Sequence, residues 1–118
     1  HDPDFNADGS ITVFDNNPGR GNSRLLRTFP GLGAERTEAV PAPEFSSTFR
    51  GKHQVLPNGS VLLTVPEQGQ ALEIAHDGAI VRQFNNLSEF GPGYHEDLAN
   101  ALWLPAGHFD ALPSCDSP

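Results

Sequence analysis

The chain has no methionine, a single cysteine, and only seven lysines and arginines against fifteen aspartates and glutamates. It has neither a charged-then-apolar leader nor an apolar run long enough to cross a bilayer. Each absence excludes something. A formal charge of -8 repels nucleic acid and anionic lipid and leaves no basic stripe for tracking phosphates, so no nucleic-acid or membrane partner is expected. One cysteine, Cys115, cannot close an internal disulfide; it pairs with a cysteine elsewhere or stays an inert free thiol. No His-x3-His or His/Cys cluster points to a metal site, and no cofactor is implied. A chain that opens on His1 without methionine is expected to be a processed product or a piece of something longer.

Turn formers are abundant instead. Twelve glycines and eleven prolines in 118 residues, with 36 % hydrophobic content and a mean hydropathy of -0.40, argue for short strands joined by turns and against long helices. An internal repeat gives that content an order. At an offset of fifty, Phe5-Asn6-Ala7-Asp8-Gly9-Ser10-Ile11-Thr12-Val13 lies over Val55-Leu56-Pro57-Asn58-Gly59-Ser60-Val61-Leu62-Leu63. Both copies read as an apolar segment, Asp-Gly or Asn-Gly at the positive-φ positions of a tight hairpin, then a half-buried strand. A hairpin repeated at that distance predicts propeller blades.

The expected fold is therefore all-β and antiparallel: two four-stranded blades of a partial β-propeller plus a C-terminal tail. Blade-like units are expected at 1–43 and 44–86, with a closing segment at 87–118. Expected strands are 1–6, Ser10–Asp15, Ser23–Phe29 and Thr37–Val40, then Lys52–Leu56, Ser60–Val65, Ala71–Ala75 and Ile80–Phe84. Leu98–Leu104, an apolar run ended by Pro105, reads as a closing strand. Propellers close with about four to eight blades, and two would leave open edges and unburied faces. The remainder of its own propeller is thus an expected partner.

Two groups of residues carry candidate chemistry. Asp4 through Asp15 matches the twelve-residue calcium-loop pattern, with oxygen side chains at Asp4, Asn6 and Asp8, Gly9 at the sixth place and Asp15 at the twelfth. The residues after Gly9 favour a strand over the helix that motif needs, and the second copy has Val55, Pro57 and Asn58 near the same places, so an acidic hairpin is the competing reading. The second group is His1, Asp2, Asp15, Asn16 and Arg20. An antiparallel hairpin turning at Asp8-Gly9 carries His1 and the Asp15–Arg20 stretch to its other end. Arginine offers a planar fork of donors to an oxyanion, and histidine can attack an electrophile or shuttle a proton. The competing reading there is a solvated loop arginine and a frayed terminal histidine.

His1-Asp2, then Asp8-Gly9-Ser10-Ile11-Thr12-Val13-Phe14-Asp15-Asn16, then Gly19-Arg20 and Ser23-Arg24, resembles the arylsulfotransferase-like propellers. Gln54 through Ser60 and Glu73-Ile74 through Asp77-Gly78 look like the next blade of that family, and Leu98-Ala99-Asn100-Ala101 resembles its C-terminal segment. The resemblance implies transfer of a sulfuryl group from a phenolic sulfate ester to a phenol, without a nucleotide donor, through a sulfated histidine in a polar funnel. It implies aryl sulfate and phenol as small-molecule partners and a periplasmic or secreted location. It further implies that His1 and Arg20 are catalytic: Arg20 neutralises the sulfate oxygens, and His1 hydrogen-bonds or protonates the leaving phenolate. Asn16 and His53 are the expected substrate-binding residues. The family's nucleophilic histidine would fall near residues 66–75, where this chain has none, and His53 is the best substitute.

The other candidates have plainer readings. His76 belongs to a turn, His95 and His108 to loops, Glu96-Asp97 to a solvated face, and Trp103 to a core. Two alternatives to the enzyme stay open: a non-catalytic propeller binding a small anion or a protein, and a calcium-stabilised extracellular β module.

Overall fold

Eight strands form two antiparallel sheets in a computed structural model that describes residues 1–31 and 36–111; Cys115 lies outside the described residues. β1 (Asp4–Phe5), β2 (Ile11–Asp15), β3 (Arg24–Thr28) and β4 (Thr37–Ala39) form the first sheet in chain order. The second repeats that meander with β5 (Lys52–Val55), β6 (Val61–Val65), β7 (Gln70–Ile74) and β8 (Ile80–Asn85). A short 3-10 turn, Pro66–Gln68, joins β6 to β7. The two-blade expectation holds, and the strands fall within a residue or so of the expected bounds except at the N-terminus.

The repeat is visible in the turns as well as the strands. In the first hairpin Asn6 N donates to Ser10 O at 2.9 Å and Gly9 N to Asn6 O at 3.0 Å. In its copy Leu56 N donates to Ser60 O at 2.8 Å and Gly59 N to Leu56 O at 2.9 Å. The Ala75–Ala79 turn between β7 and β8 repeats the pattern at 2.8 and 2.9 Å. Only the glycines take positive φ, +83° at Gly9 and +84° at Gly59. These are three-residue loops, a type I turn followed by a left-handed glycine, rather than two-residue turns with two positive-φ residues. Asp8 and Asn58 serve through their side chains: each accepts from the next-but-one serine's backbone N–H and hydroxyl, at 2.9 and 2.6 Å for Asp8 and 3.0 and 2.6 Å for Asn58. Such short polar side chains hold turns of this kind.

Alternation along β2 decides which residues meet the second sheet. Thr12 and Phe14 point toward it with Leu25, which is paired to Phe14. Ile11, Val13 and Leu26 take the opposite face. From the second sheet Val61, Leu63, Val65, Leu72 and Ile74 meet Phe14, Leu25 and Phe45 in one core cluster, with Val40, Ala42 and Val55 packed against it. Phe14 and Phe45 meet edge to face at 5.5 Å. Each fully buried large side chain stabilises the junction by about 1.5–3 kcal/mol. Close approach of the chain entering β5 needs Gly51, which lies at φ +150° against the Phe14 ring.

Two expectations are corrected. Residues 1–6 do not form one strand, because Pro3 lacks an N–H and Asp2 takes φ +55°; only Asp4–Phe5 is strand, although His1 regains the ladder opposite Phe14. Leu98–Leu104 is not a strand either: it is held to the second sheet by Ala101 N on Thr64 Oγ1, Trp103 N on Gln54 Oε1 and Leu98 N on Pro66 O rather than by a ladder. With each sheet covered mainly by the other, the Cα radius of gyration is 16.7 Å, above the roughly 13.5 Å of a compact domain of this length.

Candidate functional site

The candidate residues lie at the end of the first hairpin opposite its turn and along the seam with the second sheet. There His1 N donates to Phe14 O at 2.9 Å, and Phe14 N donates to His1 O at 3.0 Å. The backbone pairing fixes where the imidazole starts, and its exposed ring lies 5.3 Å from the Phe14 ring, tilted by 40°. β2 ends at Asp15, whose carboxylate accepts from Arg24 Nε at 2.7 Å and from Asn17 N at 3.0 Å. The Arg24 hydrogen bond, chiefly, holds the Asp15 carboxyl below the usual aspartate range.

Arg20 follows on the same side of the hairpin. Its loop is tied by Arg20 N to Asn17 O at 3.1 Å and Asn17 Nδ2 to Asn22 O at 3.1 Å, with Asn17 at φ +50°. The Arg20 side chain is exposed and forms no ion pair with a described carboxylate. The structure thus brings His1 and Arg20 to one end of the sheet with both side chains open to solvent.

Asn16 turns the other way. Its amide donates to Ser47 O at 2.7 Å and Arg50 O at 2.9 Å, clamping the segment that leads into β5. Ser23 Oγ donates to Ser47 O at 3.0 Å and accepts from Ser47 N at 2.9 Å beside it.

His53 is enclosed, with a side chain 1 % exposed. Nε2 is 2.8 Å from Thr12 Oγ1 and 3.6 Å from Asp4 Oδ2. Nδ1 lies 3.2 Å from Asp2 Oδ2 but outside hydrogen-bond geometry, so that contact is electrostatic. The same Asp2 oxygen accepts from His53 N at 2.7 Å, and Asp2 Oδ1 sits 3.6 Å from Lys52 Nζ. Burial pushes the imidazole pKa below its ordinary 6.5, with Asp4 and Asp2 opposing that shift. Thr12 and Asp4 are partners of His53 that the local sequence around residue 53 does not reveal. The signal was the period-two phase that sets Thr12 beside Phe14 on the inward face.

The residues of the calcium-loop pattern diverge. Asp8 is bound to Ser10, Asp15 to Arg24, Asp4 faces His53, and Asn6 donates to Ser10 Oγ at 3.0 Å. Among the described residues no group of three or more His, Cys, Asp or Glu could hold a metal ion, and the local structure is the acidic hairpin. Of the remaining candidates, His76 is exposed in its turn, His95 Nε2 lies 2.8 Å from Glu67 O, and the His108 and Phe109 rings meet at 4.9 Å. Asp97 pairs with Arg50. Among the described residues no helix is long and apolar enough to cross a membrane.

Two stacked four-stranded meanders with an imidazole and a guanidinium at one end define an all-β, propeller-type chain. The family model for arylsulfotransferase (ASST) matches residues 1–87, ending just after β8, and the chain belongs to that family. No curated protein and no solved structure matches it.

Proposed function

We propose that the chain supplies two blades of a sulfuryl-transfer propeller, moving a sulfuryl group from a phenolic sulfate ester to a phenol without a nucleotide donor. Family membership supports the reaction class. One observation carries the site: the His1–Phe14 backbone pairing places an exposed imidazole at the same end of the sheet as the solvent-open Arg20. In this reading the donor's S–O bond breaks, a new S–O bond forms to the acceptor oxygen, the departing phenolate gains a proton and the acceptor phenol loses one. Arg20 neutralises charge on the equatorial sulfate oxygens, and His1 hydrogen-bonds or protonates the leaving oxygen. Asn16 and His53 bind substrate only indirectly, by holding the segment that borders the site. The remaining blades come from further repeats, the chain alone is inactive, and the whole works in a periplasm or outside the cell.

The test is turnover of a chromogenic aryl sulfate with a phenol acceptor by the full-length polypeptide carrying this chain. His1→Ala and Arg20→Ala are each expected to lower it by about 100- to 1000-fold, the effect of removing one preorganised donor. Unchanged turnover in both variants refutes the assignment.

A second reading is an anion-binding propeller without catalysis. It is favoured by the use of residues 66–75, which lack histidine: Pro66 is buried, Glu67 accepts from Thr48 N and Thr48 Oγ1 at 3.0 Å each, and Gln68 accepts from Ser46 N at 3.3 Å. Sulfate binding by a full-length protein with no detectable transfer would select this reading.

A further inference from the structure

Between His1 and Asp4 the first hairpin carries one residue more than β2 does on the facing side. Asp4 pairs with Thr12, while His1 and Phe14 exchange both backbone hydrogen bonds, at 2.9 and 3.0 Å, so Asp2 and Pro3 together stand opposite Val13. Two residues against one make a β-bulge. Asp2 is its left-handed member at φ +55°, a place usually taken by glycine, and Pro3 has no N–H to leave unpaired there.

The second copy shows what the bulge changes. β5 and β6 pair without interruption from Val55 with Val61 to Lys52 with Thr64, and Thr64 stands fifty positions after Phe14. The same unbroken pairing in the first hairpin would set Asp2 opposite Phe14 and His1 opposite Asp15. A slip of one residue turns a side chain to the other face, so His1 would leave the face on which Phe14 meets the second sheet. With the bulge its ring lies 5.3 Å from the Phe14 ring instead. Pro3 does not choose between the two registers. Counting from the Asn6 N to Ser10 O bond, the unbroken register places Pro3 and Val13 in a pair that exchanges no hydrogen bonds, so proline suits both.

The Asp2 carboxylate does choose. Its Oδ2 accepts from His53 N at 2.7 Å, fifty-one positions away, and the side chain is 17 % exposed. The donor is a main-chain N–H of β5, held in place by the second sheet, so the residue that follows His1 is fixed to a rigid neighbour. Lys52 Nζ, 3.6 Å from Oδ1, is half-exposed and adds little. A charge-assisted bond of this kind shifts the balance between two registers by about 10- to 100-fold, which offsets the strain of a non-glycine residue at positive φ. We propose that Asp2 is a positioning residue for His1: by accepting from His53 N it selects the bulged register and so sets the imidazole beside Phe14, at the end of the sheet that carries Arg20. Its effect on turnover rests on the sulfuryl-transfer reading of His1, whereas the placing of the ring is a property of the fold.

Two measurements on the full-length polypeptide carrying this chain read the ring's place and its chemistry separately. Asp2→Gly keeps the freedom to take positive φ and loses only the acceptor. Asp2→Asn keeps an oxygen for His53 N on a short side chain that tolerates the left-handed conformation. Nuclear Overhauser contacts between the His1 and Phe14 rings, with the His1 signals assigned by their loss in His1→Ala, are expected in the wild type and in Asp2→Asn and are expected to vanish in Asp2→Gly. Contacts that persist in Asp2→Gly, or that vanish in Asp2→Asn as well, overturn the proposal. In turnover of a chromogenic aryl sulfate well below the melting midpoint, Asp2→Gly is expected to lower kcat by about 10- to 100-fold at nearly unchanged KM. In a His1→Ala background it should lower kcat no further, and an equal loss in both backgrounds refutes action through His1. If His1→Ala itself leaves turnover unchanged, the sulfuryl-transfer role of His1 falls, and the ring contacts alone decide whether Asp2 places the imidazole.

Discussion

Gly51→Ala separates the packing of this protein from its backbone geometry. A Cβ at position 51 would fall inside the van der Waals envelope of three carbons of the Phe14 ring, at the centre of the core cluster. Two costs follow: overpacking, about 1–3 kcal/mol, and the strain of a non-glycine residue at positive φ, about 1–3 kcal/mol. Gly59→Ala is the control, because Gly59 sits at φ +84° with nothing within 4 Å of its Cβ direction and incurs only the second. The difference between the two variants is then the packing cost. With unfolding entropy near 2.1 cal/mol/K per residue, each kcal/mol lowers the midpoint of a chain this long by about 4 °C. Thermal melts followed by circular dichroism should therefore place Gly51→Ala about 4–12 °C below Gly59→Ala. Phe14→Ala alone should cost about 3–5 kcal/mol, but in that background adding Gly51→Ala should cost no more than Gly59→Ala does. Equal midpoints for the two glycine variants, or strict additivity in the cycle with Phe14→Ala, would refute the contact.

His53 gives a pH dependence with a defined sign. Its folded pKa lies below the unfolded 6.5 because burial disfavours the cation, so its contribution is complete above 6.5 and is lost as pH falls from there toward the folded value. Urea midpoints should drop over that window in the wild type and drop less in His53→Gln. Asp2, Asp4 and Lys52 face the imidazole, whereas the carboxyls of Asp8 and Asp15, held below the usual aspartate value by Ser10 and Arg24, do not touch it. A parallel pH profile in the two proteins would show that His53 is not the titrating group. Asn16→Ala removes the two hydrogen bonds on Ser47 and Arg50 and should cost about 1–3 kcal/mol in denaturant melts; a cost within error would mean the clamp is idle. Asn58→Ala should cost about 1 kcal/mol by removing the acceptor of the Ser60 N–H and hydroxyl, and Asn58→Asp should restore it, as Asp8 does in the first copy. Failure of the aspartate to rescue would show that the two turns are not equivalent.

The hairpins were legible because their determinants are local. An Asp-Gly or Asn-Gly followed by serine supplies the left-handed residue, the side-chain acceptor and the start of a strand within four positions, and β-branched alternation does the rest. The turn type was not legible at that level: Asp8 suits a positive φ in principle, but its carboxylate is used on Ser10 instead, leaving only Gly9 in the left-handed region. The non-local pairings were less readable. Asn16 looks like a loop residue in sequence, and its role as a clamp depends on carbonyls more than thirty positions away. His53 was expected beside the candidate site for its place in the repeat, but its enclosure by Asp2, Asp4 and Thr12 follows from how one sheet leans on the other. The apolar run of Leu98–Leu104 suits a strand, but in the structure it finds side-chain acceptors on Thr64 and Gln54 rather than a ladder partner.

The placement of the four candidate residues makes their roles separable. His1 and Arg20 are exposed, and neither side chain is committed to the core, so replacing them should leave the melting midpoint almost unchanged while altering any chemistry at that end of the sheet. Asn16 and His53 are committed to the seam between the sheets: one holds backbone carbonyls, and the other fills a polar niche bounded by two carboxylates and a hydroxyl. Variants at these positions should lower stability first, and turnover of a full-length enzyme only as the seam loosens. A stabilising background or a lower assay temperature should then recover activity in Asn16→Ala and His53→Gln but not in His1→Ala or Arg20→Ala. Recovery in all four would place every one of them in the scaffold, and recovery in none would place Asn16 and His53 against the substrate itself.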